Sequence, residues 1–205
     1  MIKTFRSRGP ELLFARKSVA LFHPIELAQG IEPVVRRKLA QLNAAQELRD
    51  LSVPSENCLE PVTHARNDEY SIRINHAWQL CFVWRDHDAY HVNLVHNYAG
   101  ENLRARPENG LLPPIHPGEI LRQDFMRPHL ISVDELSLAA GVPPTQIMAI
   151  VDGKRSITVD AAFGLGSFLG TTPELWLNLQ RDHNMQVAET AKLAAIDQGV
   201  KAEID

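Results

Sequence analysis

The stretch VDELSLAAGVPPTQIMAIVDGKR, residues Val133–Arg155, decides how the C-terminal half of this 205-residue chain folds. Its apolar residues recur at helical spacing on both sides of Gly141, which can adopt the positive φ of a sharp turn without a clash from a Cβ atom. Pro143 and Pro144 follow, and proline suits the first turn of a new helix because the amide hydrogen that it lacks would have no partner there. The pattern predicts two short helices joined by a tight turn, the second ending near Gly153.

The second of these helices and the residues after it form a candidate DNA-binding surface. Thr145 and Gln146 stand at the start of the helix, where their side chains can contact base edges. Lys154 and Arg155 follow the helix, in positions that suit phosphate contacts. A helical hairpin in a small bundle that binds no nucleic acid would show the same spacing, so the pattern alone leaves both interpretations open.

The composition is that of an ordinary globular protein with one large domain or two smaller ones. No apolar run reaches the roughly 18 residues of a membrane span and no signal peptide opens the chain, so we expect a cytoplasmic protein without a membrane partner. Residues 1–100 hold 12 Lys and Arg against 11 Asp and Glu, whereas residues 101–205 hold 9 against 14. A dedicated nucleic-acid binder is usually more basic, but opposite net charges leave room for two halves that contact each other.

The two cysteines and nine histidines show no metal-binding pattern. Cys58 and Cys81 lie in apolar, strand-like surroundings, which favours two small buried side chains in a reducing compartment. Neither the cysteines nor the histidines have the paired spacing of metal ligands. We therefore expect no metal site and no cofactor.

The N-terminal half, residues 1–98, is predicted to be an α+β domain. Helical patterns cover ELLFARKSVALF and EPVVRRKLAQLNAAQ, and the second has a basic side that would usually face solvent. Four runs with a period of two follow, namely CLEPVT, EYSIRI, WQLCFVW and AYHVNLV, and they indicate an antiparallel sheet. Two helices would pack on one face of this sheet, while Arg73 projects from the other.

Residues 99–115 are rich in glycine, proline and charge, so they are expected to link two domains. Residues 116–190 are predicted to form an all-α domain of about five helices that contains the helix-turn-helix, and residues 191–205 a tail, which is expected to fray from Asp197 onward. Ser156 or Thr158 and, further on, Thr172 are candidate N-caps of the last two helices.

Both halves resemble known families. Residues 116–189, with HPGEIL near the start and GTTPELWLNLQ near the end, are similar to HigA-type antitoxins, helix-turn-helix proteins of the xenobiotic-response-element class. Residues 1–98, with PVVRRKLAQLNAAQ, YSIRINHAWQL and DAYHV, resemble HigB toxins, RelE-like endoribonucleases that cleave messenger RNA on the ribosome. The resemblance implies a toxin and an antitoxin fused in one polypeptide, toxin first, which is the usual gene order.

For the toxin half, the resemblance implies a metal-free ribonuclease site around Arg73. Further candidates for this site are Arg66, His91, His96 and Tyr98. Where the toxin family usually has LHPLKG this chain has LEPVTH, so Glu60 and Thr63 replace an expected histidine and lysine, and Gln79 occupies a commonly basic position. A carboxylate near a scissile phosphate opposes catalysis by charge repulsion, so Arg73 could instead serve only to pair with a carboxylate.

For the antitoxin half, the resemblance implies operator DNA binding by a homodimer formed through the C-terminal domain, while the toxin half would meet messenger RNA and the ribosome. Family members often carry Arg or Asn on the outer face of the second helix. This chain has Pro144, Gln146, Met148 and Ala149 there, which predicts an altered sequence preference.

Three hypotheses remain open at this point. In the first, the chain is an autoregulating toxin–antitoxin fusion whose C-terminal domain masks the ribonuclease. In the second, it is a degenerate fusion that acts only as a DNA-binding or protein-interaction regulator. In the third, an active ribonuclease is released by cleavage of the linker between Gly100 and Ile115. Whether the two halves meet within one chain or across a dimer is equally open.

Overall fold

A computed structural model describes residues 1–22, 30–62, 68–96 and 104–202, with the main chain alone described for 18–22, 104–110 and 197–202. The helices are α1 (Arg8–Phe14), α2 (Glu32–Ala44), α3 (Arg49–Ser52), α4 (Pro117–Ile120), α5 (Val133–Ala140), α6 (Pro144–Val151), α7 (Val159–Leu169) and α8 (Pro173–Ala202). The strands are β1 (Lys17–Phe22), β2 (Glu60–Pro61), β3 (Glu69–Arg73), β4 (Trp78–Arg85), β5 (Asp88–His96) and β6 (Arg104–Leu111). A 3₁₀ turn covers Ser55–Asn57, and α4 continues as a π-helical segment, Leu121–Met126.

The strands predicted from the alternating pattern form an antiparallel sheet in the order β2-β3-β4-β5. Ile72, Leu80 and Leu94 pair across this sheet and are fully buried on the face that packs against the helices of the same half. Arg73 pairs with Gln79 on the opposite face. The general α+β layout predicted for the N-terminal half is therefore confirmed.

The structure differs from the predicted segments in three places. The run ELLFARKSVALF is not one helix, because α1 ends at Phe14, Arg16 adopts a φ of +59°, and the chain continues as β1. The segment 99–115 is not a plain linker, because it contains β6, which pairs antiparallel with β1. This pairing joins distant parts of the chain, and a local pattern cannot reveal such a partner.

The segment expected to fray from Asp197 onward instead continues α8 as far as Ala202. Among the described helices, including this one, none combines the length and the apolar character that crossing a membrane requires.

The basic side of α2 faces the C-terminal half and not solvent, contrary to the sequence-based expectation. Asp124, only 6% exposed in the π-helical segment, accepts hydrogen bonds from Arg37 Nε at 3.1 Å and Gln41 Nε2 at 2.7 Å. Lys38 Nζ lies 3.6 Å from the same carboxylate. Burial lowers the pKa of the Lys38 ammonium, and the neighbouring Asp124 carboxylate partly offsets that shift. The halves of opposite net charge thus meet through these groups.

A second buried carboxylate joins the halves at the start of α8. Asp50 is fully buried, and its two oxygens accept the Thr172 amide at 2.6 Å and the Thr172 hydroxyl at 2.9 Å. Asp50 Oδ2 also accepts the main-chain amides of Gln46 and Glu47. Thr172 Oγ1 in turn accepts the Leu175 amide at 3.3 Å, which confirms Thr172 as the N-cap of α8. Asp50 therefore places negative charge at the positive end of a long helix.

Two histidines lie side by side where α4 meets α8. The rings of His116 and His183 are T-shaped with centroids 4.8 Å apart, and His116 Nδ1 accepts the Gly118 amide at 3.0 Å. Burial is the main cause that lowers the pKa of both imidazoles. The neighbouring His183 lowers the pKa of His116 further. A hydrogen bond with Asn184 raises the pKa of His183, and the charge of Arg16 lowers it. Both rings are therefore neutral near pH 7.

We expect Asp50→Ala to lower the free energy of unfolding of the full chain by about 3 kcal/mol or more, because buried amide donors in both halves lose their acceptor. Chemical denaturation followed by circular dichroism measures this loss. Asp134→Ala is the matched control, since its carboxylate is exposed in the first turn of α5 and its removal should have a much smaller effect. Similar losses in the two variants would contradict the role assigned to Asp50.

We also expect acid to destabilise the protein through the histidine pair. Because the folded pKa values of His116 and His183 lie below the ordinary 6.5, the unfolded chain binds more protons below that pH. The free energy of unfolding should therefore fall as the pH is lowered from about 7.5 to about 5.5. Denaturation curves at the two pH values test this.

His183→Asn should reduce that pH dependence, because one of the two titrating rings is gone. His87→Asn, at an exposed histidine, is the control and should leave the dependence unchanged. An identical pH dependence in the wild type and in His183→Asn would exclude the pair as its source.

Candidate functional site

The predicted helix-turn-helix is present as α5 and α6. Ser132 caps α5, since its hydroxyl accepts the Glu135 amide at 3.1 Å. Gly141 adopts a φ of +65° at the corner, as the sequence predicts. The buried Ser137 hydroxyl donates to Val142 O at 2.6 Å, so this small side chain holds the turn through a hydrogen bond as well as through its size.

Two glycines that sequence reasoning missed bring the neighbouring helices into contact with this motif. A Cβ atom at Gly118 would lie 1.7 Å from Ile150 O, and one at Gly164 would lie 2.0 Å from Ala140 O. Any side chain at these positions would push α4 away from α6, or α7 away from α5. The signal in the sequence was a glycine inside a helical pattern, but the pattern does not show which backbone it approaches.

The outer face of α6 is open to solvent. Ile147 and Ile150 are buried, so the helix packs through one side as predicted. On the other side Thr145 is exposed, Gln146 is half-buried and Met148 is 55% exposed. This face carries few hydrogen-bonding groups for a helix expected to contact bases.

Lys154 and Arg155 are held just beyond α6 by the main chain. Gly153 has a φ of +71° and lets the chain turn back, so that the amides of Lys154 and Arg155 donate to Ala149 O at 2.8 and 3.1 Å. Both side chains are exposed. Lys154 Nζ lies 3.0 Å from an Asp152 carboxylate oxygen, which reduces the net charge that it offers to a phosphate. All four predicted DNA-binding residues therefore lie on α6 or in the turn after it.

Arg73, the centre of the predicted ribonuclease site, is exposed at the end of β3. Glu60 pairs with Ser71, two residues before Arg73, so Glu60 and Arg73 are diagonal neighbours on one face of the sheet. Such neighbours have Cβ atoms roughly 7 Å apart. Gln79 pairs with Arg73 on the same face. The carboxylate that replaces an expected histidine therefore lies beside the candidate catalytic arginine.

His91 does not share a site with Arg73. It lies on β5 with a φ of +54°, and its amide donates to Thr4 Oγ1 at 2.9 Å. Arg73 pairs with Gln79 on β4, and Gln79 pairs in turn with Val95 on β5. Val95 lies four residues from His91 along β5. Strand spacing and rise per residue then separate His91 and Arg73 by roughly 16 Å.

The other candidates around Arg73 do not complete the site within the described residues. His96 is buried and contacts the Trp78 ring at a centroid distance of 4.9 Å on the core side of the sheet. Arg66 and Tyr98, together with Thr63, lie outside the described residues. The structure thus gathers Arg73, Glu60 and Gln79, and it places neither His91 nor His96 with them.

The two cysteines differ in burial. Cys81 is 7% exposed and pairs with Ser71, on the face that carries Arg73. Burial, with a smaller effect of the Glu69 carboxylate, raises the pKa of the Cys81 thiol to about 11, so it is protonated at neutral pH and is no nucleophile. Cys58 is only partly buried, contrary to expectation, because it follows the 3₁₀ turn with a φ of +43°.

Comparison with known proteins identifies both halves. Residues 24–98 match the HigB-like toxin family, the RelE-like toxins of the type II toxin–antitoxin system HigB. Virulence-associated protein I of Dichelobacter nodosus is 40% identical over 81 residues, which cover 40% of this chain and 75% of that protein.

Two proteins named as antitoxins are also similar. Antitoxin HigA-1 of Vibrio cholerae is 36% identical over 67 residues, or 33% of this chain and 63% of its own length. A solved structure of Pseudomonas aeruginosa antitoxin HigA with the higBA promoter is 36% identical and covers 42% of this chain and 92% of that one, with a TM-score of 0.39. The chain therefore belongs to the type II toxin–antitoxin proteins, as a fusion of a HigB-like toxin domain with a HigA-like antitoxin domain.

Proposed function

We propose that this fusion is an autoregulatory DNA-binding protein: its HigA-like domain binds operator DNA at its own promoter as a homodimer and restrains the HigB-like domain. The observation that carries the proposal is the complete helix-turn-helix with an open outer face on α6. Thr145 and Gln146 are available there to contact bases, and Lys154 and Arg155 are available to contact phosphates. The contacts between the two halves use other elements, namely α2, α3, the π-helical segment and α8.

Electrostatics make the local cations important for this function. Residues 101–205 carry 9 Lys and Arg against 14 Asp and Glu, so the antitoxin half as a whole repels DNA. Attraction must come from groups placed at the surface that meets the phosphates. Arg155 offers more net positive charge to a phosphate than Lys154 does, because Asp152 already pairs with Lys154. Binding should therefore depend steeply on a small number of contacts and on salt.

The exposed side of α8 supports the homodimer. Met185, Leu193 and Ile196 are 58%, 58% and 63% exposed. At 100° per residue they fall within one stripe about 80° wide along the helix. Three large apolar side chains aligned in this way favour burial against a second copy of α8, which would pair two helix-turn-helix motifs for a two-fold symmetric operator.

The antitoxin half would restrain the toxin-like half by binding to the helical side of that domain. Buried contacts through Asp50 and Asp124 attach the antitoxin half to the helical side of the domain, whereas the exposed Arg73 projects from the opposite face of the sheet. The antitoxin half would therefore restrain the toxin by its bulk, which limits access to the ribosome. Release by linker cleavage has less support, because β6 within that segment is hydrogen-bonded to β1.

A second candidate function, ribosome-dependent cleavage of messenger RNA, is favoured by the exposure of Arg73. Glu60 weighs against it, because a carboxylate on the same face of the sheet as Arg73 repels a phosphate. Loss of one such electrostatic group commonly lowers a rate by a factor on the order of 10² to 10³. The interpretation as a regulator without ribonuclease activity is therefore the better supported of the two for the toxin-like half.

The full-length protein should bind a duplex from the region upstream of its own gene more tightly than a scrambled duplex, as measured by fluorescence anisotropy over a salt series. Arg155→Ala should weaken binding to both duplexes alike and reduce the magnitude of the slope of log K against log salt by about 1.8, because each protomer of the dimer loses one phosphate contact. Lys154→Ala should also weaken binding to both duplexes, but by less, because the Asp152 carboxylate already pairs with the Lys154 ammonium. Gln146→Ala should relax the preference at one base pair.

Arg49→Ala is the matched control for this series, because it removes an exposed positive charge from α3, which lies in the toxin-like half and not on α6 or on the apolar stripe of α8. It should leave both the affinity and the salt slope close to those of the wild type. Equal affinity of the wild-type protein for the two duplexes would refute operator binding.

For the toxin-like half, we expect the full chain to leave messenger RNA on purified ribosomes uncleaved, and Arg73→Ala to behave in the same way. Primer extension on a defined messenger measures cleavage. Arg85→Ala, at an exposed arginine on β4, is the control for loss of positive charge. Cleavage by the wild type that Arg73→Ala reduces about 10²-fold or more, and Arg85→Ala does not, would establish the ribonuclease instead.

A further inference from the structure

One large apolar side chain on α6 is mostly exposed to solvent. The helix buries Ile147 and Ile150, which are 0% and 1% exposed, but Met148 between them is 55% exposed. Thr145, about one turn earlier, is exposed as well and presents a methyl group beside its hydroxyl. The surface expected to enter the DNA groove is thus mainly apolar in its centre.

The spacing of these two side chains matches that of neighbouring base pairs. Residues three apart lie on one side of a helix and are separated by about 4.5 Å along its axis. Successive base pairs of B-DNA are roughly 3.4 Å apart, and the major groove is wide enough to admit an α-helix. With α6 in the groove, Thr145 and Met148 would reach base edges one or two steps apart.

The chemistry of this face limits what it can recognise. Between Pro144 and Val151 only Thr145 and Gln146 can form hydrogen bonds with bases, and α6 contains no Arg, Lys or Asn. In the major groove, thymine is distinguished by its C5-methyl group, which apolar side chains recognise by contact.

We propose that Met148, together with the methyl group of Thr145, recognises thymine C5-methyl groups in each operator half-site. This inference rests on the proposed DNA binding and names the base feature that the binding surface selects. Sequence preference then comes mainly from apolar contact, with Gln146 adding a hydrogen bond.

The surroundings of Met148 favour DNA over a protein partner. Lys154 and Arg155 lie exposed just beyond the same helix, where they complement phosphates on the rim of a groove. The exposed methionine on α8, Met185, lies instead in the apolar stripe with Leu193 and Ile196. Val187 is 46% exposed and lies on the opposite side of α8 from that stripe, so it is the control for the loss of an exposed apolar side chain.

The test uses the full-length protein and a DNA duplex that it enriches from a pool of randomised sequences. Thymines of the enriched duplex are replaced one at a time by deoxyuridine, which removes the C5-methyl group and keeps every Watson–Crick and O4 hydrogen bond. At one or two positions per half-site, this replacement should weaken wild-type binding by about fourfold, the effect of one buried methyl group.

Met148→Ala should bind the enriched duplex more weakly and should no longer distinguish thymine from deoxyuridine at one of these positions. Met148→Leu, which keeps an apolar side chain of similar size, should retain the distinction. Val187→Ala should keep both the affinity and the distinction. Circular dichroism verifies that each variant is folded.

The possible results distinguish failure of thymine-methyl recognition from failure of the proposed DNA binding. If a sequence is enriched but deoxyuridine has no effect, or its effect persists in Met148→Ala, thymine-methyl recognition is wrong while DNA binding stands. If no sequence is enriched, both the inference and the proposed DNA binding are wrong.

Discussion

Two carboxylates buried between the halves, Asp50 and Asp124, are the constraint on which the rest of the structure depends. Each is contributed by one half and hydrogen-bonded by the other: Asp124 by Arg37 and Gln41, and Asp50 by Thr172. A buried carboxylate is tolerated only when such donors surround it. Separation of the halves would expose the apolar core that they share and would also leave the Thr172 amide and hydroxyl without Asp50 as their acceptor. Toxin-like and antitoxin-like segments have thus become a single packed unit.

Features determined by local chemistry were predictable from the sequence. Gly141 marked the corner of the helix-turn-helix and Thr172 the start of α8, because positive φ and helix capping depend on residues that are adjacent in the chain. The alternating apolar residues of β3, β4 and β5 likewise indicated which face of the sheet is buried.

Features determined by distant contacts were not predictable. The basic side of α2 was predicted to face solvent because Asp124, which forms ion pairs with its Arg37 and Lys38, lies in the other half of the chain. The pairing of β1 with β6 was missed for the same reason, and so was the close approach of Gly118 to Ile150.

The candidate sites show the same division. Lys154, Arg155, Thr145 and Gln146 lie together because all four belong to α6 or to the turn after it. His91 and Arg73, by contrast, are on strands separated by β4, and their distance depends on sheet register, which the alternating pattern does not specify. Glu60 beside Arg73 was recognisable as a departure from the family pattern, and pairing of β2 with β3 explains why that departure matters electrostatically.

The strand β6 has a consequence for the proportion of the two domains that goes beyond packing. It carries the chain, hydrogen-bonded to β1, from the toxin-like half directly into α4, so every molecule contains one copy of each domain. When toxin and antitoxin are separate proteins, synthesis and degradation can change the ratio between them. In this polypeptide the ratio is fixed at one to one, and degradation of one domain consumes its partner. The amount of either domain therefore follows the amount of a single molecule.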